Sequence, residues 1–136
     1  MKIVNPYLVA AILEPFLFLD EFESTEVAEI NPEDEVDVRV FIRRFLVPYY
    51  LKFDDKSKSE IRDSLGYMLL KGSDKWEVLF QINQSPLSLP SRPQKFYEWL
   101  WDELYHCDVF LVGLLDDYVV REDIHAPNLI KRGGAV

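Results

Sequence analysis

Trp76-Glu77-Val78-Leu79-Phe80-Gln81-Ile82 decides how the whole chain is read. Taken in alternation, Trp76, Val78, Phe80 and Ile82 make one face of a strand. Taken at helical spacing, Trp76, Leu79, Phe80 and Asn83 make one face of a helix, with Asp74 and Glu77 placed for a capping box. A lone strand cannot satisfy its own hydrogen-bond ladder, and no strong partner strand is evident. The chain has a single threonine, Thr25, no Asn-Gly or Asp-Gly pair, and one Gly-Gly pair close to the C-terminus. These features argue against an extensive sheet. The expected fold is mostly all-α: a compact single-domain helical bundle of about five or six helices. The alternative is an α+β fold with a short sheet that includes residues 76–82.

Helix signals recur on either side of this segment. Asn5-Pro6 offers an N-cap and a first-turn proline ahead of a nearly continuous apolar run, with Pro15 placed to kink or split it. Asn31-Pro32-Glu33-Asp34-Glu35 repeats the cap and proline and adds acids that complement a helix N-terminus. Val38, Phe41, Phe45, Leu46 and Tyr49 follow at helical spacing, with Pro48 placed to kink or end the helix. The rival there is a strand, since Val36, Val38, Val40 and Ile42 alternate. Ser57-Lys58-Ser59-Glu60 reads as a capping box, Ile61, Leu65, Met68 and Leu69 as the stripe behind it, and Gly72 as the C-cap. Gln84 to Pro93, with three prolines and three serines, reads as the main loop. A further helix runs from Pro93 through Phe96, Leu100 and Leu104. The globular domain is expected to span 1–124, and 125–136 to be a flexible tail.

At 136 residues, 49% of them hydrophobic, the chain can bury a single core without a disulfide or metal staple. The sole cysteine, Cys107, fits a reducing compartment. The N-terminus carries only Lys2 as a charged region, Pro6 and Glu14 interrupt its apolar run, and no small-x-small cleavage site follows, so no signal peptide is expected. Its charge-free apolar run, Ile3 to Leu13, falls short of the roughly 18 residues that span a bilayer. A cytoplasmic protein without a membrane span is expected.

The net charge of −9 is arranged in blocks. Glu14 to Asp37 holds ten acidic residues and no basic ones, Val38 to Tyr97 carries a net +5, and Glu98 to Asp123 a net −7. Such blocks belong on solvated faces or opposite a cationic partner. Direct nucleic-acid binding is disfavoured, because it relies on Lys and Arg neutralising phosphates.

The chemistry-bearing patterns are weak. Cys107 beside His106 points about 100° away from it on a helix and reads as a structural thiol. Glu103-x-x-His106 and Glu122-x-x-His125 resemble half of a di-iron ligand set, but nineteen residues separate them and Pro127 follows the second closely. Asp54-Asp55 and Asp116-Asp117 are neighbouring acids in one environment, unlike a catalytic pair. No phosphate-cradling loop or nucleophile elbow occurs. No catalytic residue, cofactor or metal is expected; a metalloprotein using the paired Glu-x-x-His is the remote alternative.

More informative is Phe96 to Tyr105. A helix that buries Phe96, Leu100 and Leu104 leaves Tyr97, Trp101 and Tyr105 as a second stripe, rimmed by Glu98, Asp102 and Asp108. That stripe either packs on a second neighbour or forms an interface, where Tyr and Trp are favoured anchors. The chain thus resembles, in type, small helical immunity or inhibitor proteins that block basic nucleases; the likeness lies in size, acidity and aromatic content. It implies a small acidic protein-binding domain that occludes a basic, nuclease-like partner. The contact residues would be Glu33, Asp34, Glu35, Asp37, Tyr97, Glu98, Trp101, Asp102 and Tyr105. The alternative is a structural or adaptor subunit of a larger assembly.

Overall fold

A computed structural model describes residues 2–106, 108, 110 and 118–124. The fold is mostly α-helical. In chain order it comprises strand β1 (Lys2–Val4), a 3-10 helix (Pro6–Phe18), α1 (Glu21–Ala28) and α2 (Glu35–Phe41). A π-helical turn (Ile42–Leu46), α3 (Val47–Tyr50), α4 (Asp55–Lys71), α5 (Trp76–Ile82), α6 (Gln94–Tyr105) and strand β2 (Tyr118–Val120) follow.

The residues that decided the reading, 76–82, are helical and put Trp76, Leu79 and Phe80 into the core. The expected capping box is not there: Lys75 stands at the N-cap position, and its N–H donates to Ser73 Oγ at 3.0 Å.

The 3-10 helix is the centre of the molecule. Asn5 caps it, accepting from the Tyr7 N–H at 3.0 Å, and α3, α4, α5 and the π turn pack around it. Its residues are almost all apolar, and Val9, Ala11, Ile12 and Leu13 are fully enclosed, while Glu14 is half-buried and Leu17 and Phe18 at its end are exposed. Pro15 lies inside it and does not end it. Two buried asparagines anchor this element. Asn83 Nδ2 donates to the Ala10 carbonyl at 2.9 Å. The Asn5 N–H donates to Ser64 Oγ at 3.0 Å, and Asn5 Nδ2 donates to the Asp123 carbonyl at 2.9 Å.

Several helix starts lie away from where the sequence places them. α2 begins at Glu35, because Asp34 Oδ1 accepts from the N–H groups of Val36 (3.1 Å) and Asp37 (3.3 Å). Asn31 instead closes the preceding turn through the Glu33 N–H. α4 begins at Asp55, with Asp54 accepting from the Ser57 N–H at 2.8 Å, so Ser57 is a buried third residue of the helix and not its cap. In both cases an aspartate takes the role the sequence pattern gave to another side chain. Gly72 does end α4, at φ +86°, a backbone angle that an L side chain rarely adopts.

Pro48 does not end the rod that starts at α2, which runs on through α3 to Tyr50. Pro48 is the second residue of α3 and, as a proline, has no N–H to give to the helix ladder. Just before it, the Val47 N–H reaches back five residues to the Ile42 carbonyl, which is the π turn.

The small sheet is where the sequence did not point. β1 and β2 pair in parallel, with Ile3 opposite Val119. Three-residue strands more than a hundred positions apart leave no hairpin signal. Gly66 on α4 lies against the backbone at Phe110: a Cβ there would come within 2.0 Å of the Phe110 carbonyl oxygen.

Among the described residues, no helix is long and apolar enough to cross a membrane.

Candidate contact surface

α1 and α2 share an acidic exterior that is partly committed to their own backbones. Asp20 and Glu23 form a reciprocal capping box at the start of α1. Asp34 caps α2, and Glu33 accepts from the Ser91 N–H in the 84–93 loop. Glu35 pairs with Arg39 at 3.0 Å. Asp37, in the first turn of α2, is exposed. Glu33, Asp34, Glu35 and Asp37 therefore all lie at the surface, as a contact role requires.

Packing of α2 on α6 joins this surface to the second acidic block. Arg39 is the bridge. Its guanidinium reaches Glu35, Asp102 at 2.9 Å and Glu103 at 3.3 Å, and Arg43 also pairs with Glu103. Burial pulls the Arg39 pKa down, but hydrogen bonds and charges from these three acids outweigh it and hold the guanidinium above its ordinary value. The cation sits between two helices that would otherwise repel. Asp102 is occupied by that bridge, and Glu98, half-buried, lies one turn before it.

The aromatic stripe of α6 is not a surface. Tyr97 is 0% exposed and Trp101 1% exposed, so neither can anchor a partner in this fold. The reason is that α6 is walled on both sides. Tyr97 packs against Trp76 on α5 with ring centres 4.5 Å apart and tilted by 36°, and its hydroxyl donates to the Trp76 carbonyl at 2.6 Å. Trp101 packs 4.3 Å from Tyr105, and its indole N–H donates to the Asp108 carbonyl at 2.8 Å. From α4, the Arg62 guanidinium lies 5.2 Å from the rings of both Trp101 and Tyr105. Tyr105 keeps partial exposure, but its hydroxyl donates to Tyr50 Oη at 2.9 Å, so it too is turned inward. Burial raises the phenol pKa of Tyr97, Tyr105 and Tyr50, and for Tyr105 the neighbouring Tyr50 adds to the effect.

Two of the surface cavities lined by described residues bear on a contact role. One, about 500 Å³, lies between α5 and the 84–93 loop and is lined by Glu77, Gln81, Gln84 and loop serines around Leu87 and Leu89. The other, about 230 Å³, lies between α1 and the α2–π segment. Val27, Ile30, Phe41 and Phe45 line it, with Glu26, Asp37, Val40 and Arg44 around them. The sequence reading missed this groove. Its signal was present in the Val36, Val38, Val40 series: on a helix Val38 turns to the core, while Val36 and Val40 turn to water.

Among the described residues, no group of three His, Cys, Asp or Glu side chains comes together as a metal site. His106 is an exposed left-handed C-cap of α6, and Glu103 is engaged by Arg39 and Arg43. Cys107, Asp116, Asp117, His125 and the 125–136 tail lie outside the described residues. No protein-family model, no curated protein and no solved structure matches the chain.

Proposed function

We propose that this chain is a small acidic protein-binding domain, and most concretely an immunity- or antitoxin-type inhibitor that occludes a basic, nuclease-like protein in the cytoplasm. The observation that carries this reading is the exposed acidic face of α1 and α2. Glu21 to Phe41 holds eight carboxylates and one basic residue, Arg39, which is turned toward α6. The mechanism is occlusion: carboxylates stand where a basic partner would hold phosphates, and the field of the face speeds encounter. The contact residues retained from the sequence reading are Glu33, Asp34, Glu35, Asp37 and Glu98; Asp102 is engaged by Arg39 and leaves the set. Tyr97, Trp101 and Tyr105 leave that set and become the packing that holds α6 against α4 and α5.

Affinity capture from the native host, at low and at high salt, tests this. The inhibitor reading expects a basic protein that is retained at low salt and released as the Debye length falls below about 8 Å. A partner that is not basic, held equally at both salts, would favour the adaptor. The exposed apolar side chains Phe18, Phe22, Val36 and Leu51 are the observation on the adaptor's side.

A further inference from the structure

The groove between α1 and α2 carries a more specific conclusion, which rests on the inhibitor reading and names the form of the contact. Its floor of Val27, Ile30, Phe41 and Phe45 is apolar, and its volume of about 230 Å³ is below the roughly 300–1,000 Å³ of small-molecule pockets. It suits one or two large side chains projecting from a polypeptide. The apolar surface continues beyond the cavity. Phe22 lies one turn before Glu26 on the same face of α1, and Val36 one turn before Val40 on α2. Phe22 is 77% exposed and Val36 69% exposed, so the fold makes little use of either.

The charge around this surface selects the occupant. Glu26 and Asp37 stand on opposite walls, and Glu21, Glu29 and Glu33 are exposed on the flanks. The one cation lining the groove, Arg44, is paired with Glu26 at 3.6 Å. A second copy of the chain would bring like charge against like charge, and an anionic lipid surface would be repelled in the same way. We propose that the groove docks an amphipathic basic segment of the partner protein. Its apolar side chains enter between Val27, Ile30 and Phe45, while its Lys or Arg residues meet Glu26, Asp37 and the flanking acids. This is the helix-in-groove mode of recognition, with the acids of the groove setting the sign of the ligand.

The test uses the full chain and three labelled synthetic peptides, read by fluorescence anisotropy. One alternates Lys and Leu at amphipathic helical spacing, one replaces every Leu by Ser, and one replaces every Lys by Glu. The Lys/Leu peptide is expected to bind about tenfold or more tightly than either control, and Phe22→Ser and Val40→Arg each to weaken it by about tenfold. Both positions are exposed, so both variants should keep the parent's circular dichroism, which is checked alongside. Equal binding of the Lys/Leu and Lys/Ser peptides, no binding of either, or indifference to Phe22→Ser or Val40→Arg would each overturn the groove. Joint replacement of Glu33, Asp34, Glu35 and Asp37 separates the two claims. If that variant loses basic peptides while Phe22→Ser and Val40→Arg do not, the acidic face stands and the groove falls. If salt-sensitive capture of a basic host protein also fails, the inhibitor reading falls with it.

Discussion

The aromatic stripe of α6 and the acidic run of α1 and α2 look alike in sequence: each sets apolar side chains at helical spacing beside carboxylates. In the fold they diverge. α6 has a second wall. α5 covers Tyr97, Arg62 of α4 covers Trp101 and Tyr105, and Arg39 and Arg43 neutralise the acids alongside. Among the described residues the outer faces of α1 and α2 have no such wall: α1 buries only Val27, and Phe22, Val36 and Val40 stay exposed. Acids next to aromatics therefore do not by themselves mark a contact surface. What decides is whether the fold supplies a neighbour for the second stripe and a cation for its rim.

The sharpest way to break this contrast is Trp101→Ala. An enclosed indole that also donates a hydrogen bond should cost about 3–5 kcal/mol when truncated, read as a lower urea midpoint. A loss within the range of a surface change, about 0.5 kcal/mol, would return the stripe to the surface.

Alkali probes the same packing through its phenols. Tyr97, Tyr105 and Tyr50 have folded-state pKa values raised mainly by burial. Below the unfolded value of about 10 both states hold the proton. Above it the unfolded chain releases protons that the folded chain keeps, so stability falls as pH rises. Chemical denaturation followed from pH 8 to about 11 should show that fall, and Tyr105→Phe should make it shallower. An unchanged slope in Tyr105→Phe would mean that this phenol ionises alike in both states.

A smaller effect is expected at the start of α2. Asp34→Ala should cost about 1 kcal/mol as a lost N-cap, and more than Asn31→Ala, whose side chain serves only the preceding turn. The reverse order, measured by thermal unfolding, would restore Asn31 as the cap.

These cases also show what a reader of the sequence can recover. The helical class was legible, because turn chemistry and composition both opposed a sheet and Trp76 to Ile82 had no strand partner nearby. Helix starts were legible only to within a few residues, since Asn31 and Asp34, or Asp54 and Ser57, are rival caps of similar chemistry. Asp20-Glu21-Phe22-Glu23 was a readable capping box that went unread because the stretch was seen only as charge. β1 and β2 were beyond reach, as their pairing spans nearly the whole chain. For the candidate site, the exposure of Glu33, Asp34, Glu35 and Asp37 follows from their charge. The burial of Tyr97 and Trp101 depends on where α4 and α5 pack, and no periodicity within α6 contains that.

The most direct test of the acidic face is the association rate of the captured partner with the parent chain and with the variant neutralised at Glu33, Asp34, Glu35 and Asp37, each at low and high salt. The account predicts fast association by the parent that slows as salt rises, and a variant that associates slowly with little further response to salt. Equal rates for the two proteins, indifferent to salt, would contradict it.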